Sequence, residues 1–149
     1  MNATDKGFRN EYFFLSNFFS TPITYEGITY ESVESAFQAQ KCLDDDIKKT
    51  FASLSPNRVR FIGRRVKLRP DWELVKDNIM EDLIRIKFTE PTLKSQLIST
   101  AGVLLVEFND WNDKYWGKCI RTKQGHNKLG IIIMKIRDEA IADELKSQY

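Results

Sequence analysis

The sequence predicts an α+β fold: a predominantly helical single domain, residues 1–149, carrying a small antiparallel sheet. Three observations lead there. The stretch ITYEGITY, residues 23–30, alternates β-branched and aromatic residues around Glu26 and Gly27, which suits a tight hairpin. Several segments between breakers carry helical periodicity or helix-start signals. A chain of 149 residues, 42% hydrophobic and 30% charged, is the size and balance of one soluble domain that buries its own core, so disorder is not the expectation.

Each element follows from its residues. After the hairpin, Ser32 precedes a breaker-free run to Leu43 and is placed to cap a helix, although Ser35 stands where a capping box would have glutamate. LDDDIKKTFASL, residues 43–54, reads as a second short helix whose acidic residues sit in the first turn, where the helix dipole favours them; Ser55 and Pro56 end it. Pro56 then fits the first turn of a helix over NRVRFIG that stops near Gly63. Asp71 is expected to cap the clearest helix, in which Trp72, Val75, Ile79, Leu83 and Ile86 recur at three- and four-residue steps through Phe88. Pro91 opens another helix over PTLKSQLIST. VLLVEF, residues 103–108, is an apolar run short enough for a buried strand, and NDWNDKYWGKCIRTKQG follows as a long polar and aromatic loop. Residues 127–148 contain three successive isoleucines, yet their length and the RDEAIADELK pattern favour helix. No repeat, low-complexity tract or linker marks a second domain.

The formal charge of +2 is too mild to announce a nucleic-acid or membrane partner. No apolar run approaches membrane-spanning length, and the N-terminus lacks a basic start followed by an apolar core, so a cytoplasmic protein is expected. Cys42 and Cys119 sit in no paired-cysteine spacing and, with the single histidine His126, do not make a usual zinc site; free thiols and no metal are expected.

Four places carry residues suited to chemistry. Glu34, Gln38 and Lys41 follow at four and three residues and share one helical stripe flanked by small or apolar positions. Such a stripe lines a cleft or makes ordinary surface pairs worth a few tenths of a kcal/mol. The run RVRFIGRRVKLR, residues 58–69, holds six basic residues and no acidic one. Its arginine forks suit a phosphate near Arg64, Lys67 or Arg69, or else it is a solvated turn balancing Asp44, Asp45 and Asp46. The loop at residues 109–117 gathers Asp110, Trp111, Asp113, Tyr115 and Trp116, either as an anchored cap on the core or as a stacking platform beside a carboxylate. Trp72 invites the same two readings and, as first member of an apolar stripe, leans towards core. Finally, GHNKLG at residues 125–130 places Asn127 to cap a helix whose unpaired amides face outwards, with Gly130 permitting close backbone approach. His126 is a surface or capping residue on this reading, and a Cys42–His126 nucleophile pair would lack an orienting partner.

Taken in order, FLSNF (residues 14–18), VESAFQAQK (33–41), GRRVKLRPDW (63–72) with VKDNIMEDLIRIKF (75–88), LVEFNDWNDKYWG (105–117) and GHNKLGIIIMKIR (125–137) resemble the motifs of the YbiA-like N-glycosidase, or NADAR, family over nearly the whole chain. The chain departs from the family at Ser35, where members often carry histidine, and residues 117–124 fall in a loop that varies among members.

The resemblance implies a YbiA-like fold and hydrolysis of the N-glycosidic bond between ribose 5-phosphate or ADP-ribose and a nitrogen heterocycle. The implied substrates are phosphoribosylamino-pyrimidine intermediates of riboflavin biosynthesis or ADP-ribosyl compounds, including ADP-ribosylated nucleic acid or protein. Glu34 is then the main catalytic carboxylate and Asp113 the second, the two expected to meet at one sugar carbon. Trp72 and Trp116 would border the heterocycle. Lys41, Arg64 and Arg69 would hold phosphate, while Asn17, Gln38 and Asn127 would orient ribose hydroxyls or base edges. No cofactor or metal is called for, since two carboxylates and an anion clamp cover the charge changes. The rival readings are a module that binds NAD or ADP-ribose without cleaving it, and a nucleic-acid binder using residues 58–69.

Overall fold

The computed structural model describes residues 7–149; the first six, on which part of the leader reading rests, lie outside the described residues. The chain packs as two compact units, Asn17–Lys87 and the remainder, which runs up to Ser16 and resumes over Phe88–Tyr149.

The unit Asn17–Lys87 opens with an antiparallel hairpin of β1 (Ile23–Tyr25) and β2 (Ile28–Tyr30). Glu26 and Gly27 both take positive φ, 48° and 84°, the geometry that matches a two-residue turn to the twist of its strands. The Thr24 and Thr29 hydroxyls bond across the pair at 2.7 Å. Next comes α1 (Val33–Ala39), capped as expected by Ser32, whose Oγ accepts the Ser35 amide at 3.2 Å. The helix stops short of Leu43 because the amides of Gln40, Lys41 and Cys42 bond three residues back, to Phe37, Gln38 and Ala39, and tighten the final turn.

Asp44 caps α2 (Asp45–Ala52), its Oδ1 accepting from Asp46 and Ile47, and Pro56 begins α3 (Pro56–Gly63). In α4 (Trp72–Lys87) the expected stripe is confirmed at Trp72, Ile79 and Leu83, which are buried. The Asp71 cap needs correcting. Its carbonyl accepts from Leu74 and Val75, while its carboxylate turns back to the Arg69 guanidinium at 2.6 and 3.0 Å. At the centre of the unit α1 packs against α2, α3, α4 and both strands. The Ser35 hydroxyl donates to the Phe51 carbonyl of α2 at 2.9 Å, so at this position the chain uses a buried tie between helices.

The other unit begins with a 3₁₀ turn over Asn10–Leu15, which the sequence did not signal. α5 (Pro91–Ile98) follows, with Pro91 in its first turn as expected and an unforeseen glutamate cap: Glu90 accepts from the Thr92 and Leu93 amides. α5 packs on α6 (Lys128–Lys146).

VLLVEF is not a strand. Only Phe108 enters a ladder, the two-residue parallel pairing of β3 (Phe108–Asn109) with β4 (Lys118–Cys119). Residues 103–107 have no regular secondary structure, and side chains do much of the work a neighbouring strand would otherwise do. Arg137 Nη1 donates to the carbonyls of Thr100 and Val103, and Asn127 donates to Leu105 and accepts from Glu107. Gly130 permits the close approach expected of it, since a Cβ there would stand 2.3 Å from the Leu105 oxygen.

The architecture is thus α+β and mostly helical, with one small antiparallel sheet, as the sequence predicts. Among the described residues no helix is long and apolar enough to cross a membrane.

Candidate active site

The polar stripe of α1 is not a solvated face. Glu34 and Gln38 are half-buried on a helix whose remaining positions are buried, and Lys41, in the turn just past it, is half-buried too. Glu34 lies in the first turn, where the dipole favours an anion, and its amide donates to the Asn17 carbonyl at 3.0 Å. Gln38 Nε2 donates to Glu34 Oε1 at 2.9 Å, four residues apart as the helix dictates. Burial lowers the Lys41 ammonium below its ordinary range; the Glu34 charge opposes that shift and the Arg64 charge reinforces it. One face of α1 therefore sets an acid and an amide side by side, and Lys41, in the turn that follows the helix, feels the charges of Glu34 and Arg64.

Asn17 is 8% exposed. Its amide donates to Met80 Sδ at 3.6 Å, and its Oδ1 is buried with no hydrogen bond among the described residues. A buried acceptor left this way carries a desolvation penalty that a donor would remove.

The basic run divides. Arg60 lies over the Phe18 ring at 5.4 Å, and Arg65 lies over Phe61 at 3.6 Å. Arg69 is drawn to the end of α1 by its amide, which donates to the Lys41 carbonyl at 2.7 Å. Its guanidinium, however, closes on Asp71, which holds the arginine above and the aspartate below their usual ranges, the hydrogen bond being the largest cause in both. The Arg69 fork expected to hold phosphate is thus engaged by a carboxylate in this structure. Arg64 and Lys67 remain exposed.

Trp72 lies in the core. It is 6% exposed and packs against Phe37 with ring centroids 5.1 Å apart, tilted by 52°, so of its two readings the packing one describes this side chain.

In the other unit the aromatic loop is an anchored structure. Asn109, fully buried, accepts from the Asp113 amide and donates to the Asp113 carbonyl, both at 2.9 Å. Asp113 Oδ1 then accepts from the Tyr115 and Trp116 amides at 3.0 Å each, a turn made by a side chain in place of backbone. Tyr115 and the half-buried Trp116 meet edge to face at 4.8 Å, and Lys128 Nζ donates to the Tyr115 hydroxyl at 3.2 Å.

The same loop closes the start of α6. The amides of His126, Asn127, Lys128 and Leu129 donate to the carbonyls of Lys114, Gly117, Tyr115 and Trp116. The expected outward-facing amides are therefore paired, which corrects the anion-site reading. Asn127 does not cap the helix either. It sits at φ 51°, with its amide bridging Leu105 and Glu107, and both ends of that amide are occupied where ribose contacts were expected.

Both cysteines are free and buried, and Cys42 Sγ donates to the Ala39 carbonyl at 3.3 Å. Hydrogen bonds from Thr122, through its amide and hydroxyl, and from the Arg121 amide lower Cys119 to about 7.

Two features escaped sequence reasoning. Asn109 organises the aromatic loop through contacts that no local pattern announces. Gly63 lies against the Gln38 side chain, so closely that a Cβ would stand 2.1 Å from Gln38 Oε1. A glycine near a helix end reads locally as a stop signal, and only the packing of α3 on α1 reveals the other use.

The mostly helical α+β fold with its small hairpin sheet is of the YbiA-like class. The NMR structure of the E. coli protein YbiA matches with a TM-score of 0.80 and 35% identity, covering 91% of this chain and 82% of that one. The NADAR domain matches residues 4–140, and the chain belongs to the NADAR family. The N-glycosidase YbiA of Escherichia coli K12 is 38% identical over 134 residues, 87% of this chain and 82% of that protein. The chloroplastic riboflavin biosynthesis protein PYRR of Arabidopsis thaliana is 39% identical over 106 residues, 66% of this chain but 17% of that protein.

Proposed function

We propose that this chain is an N-glycosidase that hydrolyses the bond between ribose 5-phosphate and a nitrogen heterocycle, with a phosphoribosylamino-pyrimidine of the riboflavin pathway as its substrate. It is a hydrolase acting on N-glycosyl compounds, a reading supported by NADAR membership and the named N-glycosidase relative. The riboflavin relative supports the choice of heterocycle. A cytoplasmic setting belongs to the same proposal.

The observation that carries the reading is the α1 stripe, where Glu34 is bonded by Gln38 and sits within the field that acts on Lys41. Cleavage builds positive charge on the ribose C1′ and negative charge on the departing base. Glu34, half-buried, stabilises the sugar cation as a carboxylate or takes a proton from the attacking water. Lys41 and exposed Arg64 supply the positive field for a phosphate. Asn17 Oδ1, buried without a donor, suits a ribose hydroxyl, which both donates and accepts. Asp113 is proposed as the second carboxylate, and Trp116 as the aromatic that borders the base. The C1′–N bond breaks, water gives its hydroxyl to C1′ and its proton to the leaving nitrogen, and no other co-reactant is needed.

Incubation with a panel of ribosylated heterocycles, followed by mass spectrometry, tests the assignment. Free base and ribose 5-phosphate from the phosphoribosylamino-pyrimidine are the expected products. Release of ADP-ribose from modified nucleic acid or protein, with the pyrimidine untouched, would move the substrate to the ADP-ribosyl class. Ligands that bind and are recovered intact after long incubation would make the chain a binding module.

A further inference from the structure

We infer that Gly63 is a positioning residue for Glu34, acting through Gln38: the absent side chain at the end of α3 forms the slot in which the Gln38 amide lies while it holds the carboxylate. The inference rests on the role proposed for Glu34 and deepens it.

A Cβ at Gly63 would stand 2.1 Å from Gln38 Oε1, 2.9 Å from its Cδ and 3.3 Å from its Cβ. The nearest three atoms all belong to that one side chain. Conformation does not explain this glycine, because it lies within α3 and is not among the positive-φ residues. Alanine would even be favoured there by helix propensity. What the position requires is room, and Gln38 occupies it.

The two ends of the Gln38 amide are held differently. Nε2 donates to Glu34 Oε1 at 2.9 Å, whereas Oε1 is buried and accepts no hydrogen bond among the described residues. The carbonyl end is thus placed by shape. If the slot is filled, the amide must swing, and its bond to Glu34 goes with it. A donor facing Glu34 favours the ionised carboxylate, the form that steadies a ribose cation. Because the obstructed atom is the far end of a flexible side chain, Gly63→Ala is met by rotation of Gln38 rather than by loss of the fold.

The test is a double-mutant cycle with phosphoribosylamino-pyrimidine as substrate, comparing wild type, Gly63→Ala, Gln38→Ala and the double variant for kcat, KM and melting temperature. Each single change is expected to lower kcat about tenfold with KM within about twofold, as a small misplacement of a reacting group does. The double variant is expected to be no worse than Gln38→Ala. Additive losses, or a Gly63→Ala protein with wild-type kcat, would overturn the inference. Should Gly63→Ala fold poorly, deleting the Gln38 side chain in the same chain must restore its melting; failure to do so also overturns it. A Glu34→Gln control separates the two levels. If it abolishes turnover while Gly63→Ala keeps the wild-type kcat, only the positioning inference falls; if it leaves turnover intact, the role of Glu34 falls first.

Discussion

Glu34 and Asp113 are both half-buried acids on short segments, yet the chain holds them in different ways. Glu34 receives a hydrogen bond from the side chain of Gln38, one turn along the same helix. Asp113 receives two from backbone amides, in a loop whose own amide and carbonyl are clamped by buried Asn109. A carboxylate whose oxygen satisfies backbone amides is part of the turn. A carboxylate facing a side-chain amide can exchange that partner for a ligand at smaller cost. The contrast separates an acid bonded by a side chain on its own helix from one built into the turn of its loop.

The contrast is open to breaking from both sides. The largest effect on stability is expected at Asn127→Ala, which strips two hydrogen bonds from buried backbone beside the aromatic loop. It should lose about 2 to 4 kcal/mol in denaturant titration. A loss under 0.5 kcal/mol would mean that the 105–107 segment holds itself.

Asp113 allows its two duties to be separated. Asp113→Ala removes the acceptor for the Tyr115 and Trp116 amides and should destabilise by about 1 to 2 kcal/mol, whereas Asp113→Asn keeps an acceptor and should melt close to wild type. If Asp113 also acts in catalysis, the asparagine variant loses about tenfold or more in turnover while folded. Wild-type turnover in Asp113→Asn would leave it the turn alone.

Arg64→Glu, in the unit that carries Glu34, should raise KM about tenfold for a phosphorylated substrate and leave the unphosphorylated riboside unchanged. An equal change for both would remove the phosphate role.

The smallest effect is alkaline. Tyr25 is pushed up to about 12, first by burial and then by the charges of Asp82 and Glu26, and its hydroxyl donates to Asp82 at 3.3 Å. The fold favours the neutral phenol, so its contribution is complete below the unfolded value near 10 and is lost as pH rises towards 12. Allowing for solvent screening, on the order of 1 kcal/mol should disappear across that window, and Tyr25→Phe should flatten the decline. An unchanged decline in the variant would assign it to other groups.

Where the chain talks to itself over a few residues, the sequence was legible. The Glu26-Gly27 turn, the Ser32 cap and the pairing of Glu34 with Gln38 all follow from spacing and residue type, and all are found, while Lys41 falls in the turn just past the helix. Long-range contacts were not. VLLVEF has the apolar run of a strand, but Arg137 and Asn127, tens of residues away, take part of its backbone bonding. The amides at the start of α6 looked unpaired only because their carbonyl partners lie about ten residues back in a loop. Arg69 looked like a phosphate ligand until Asp71 claimed its fork. The candidate site was legible in the same measure: its helix face could be read from spacing, and the glycine packed behind it could not.

Single-turnover mixing of excess enzyme with the phosphoribosylamino-pyrimidine, wild type beside Glu34→Gln, asks most directly whether the α1 carboxylate does the chemistry. Both proteins should bind the substrate with similar affinity and melt together, while base release in Glu34→Gln falls by roughly 10² to 10⁴, about 3 to 5 kcal/mol of barrier. Base release at the wild-type rate from a folded Glu34→Gln protein would contradict it.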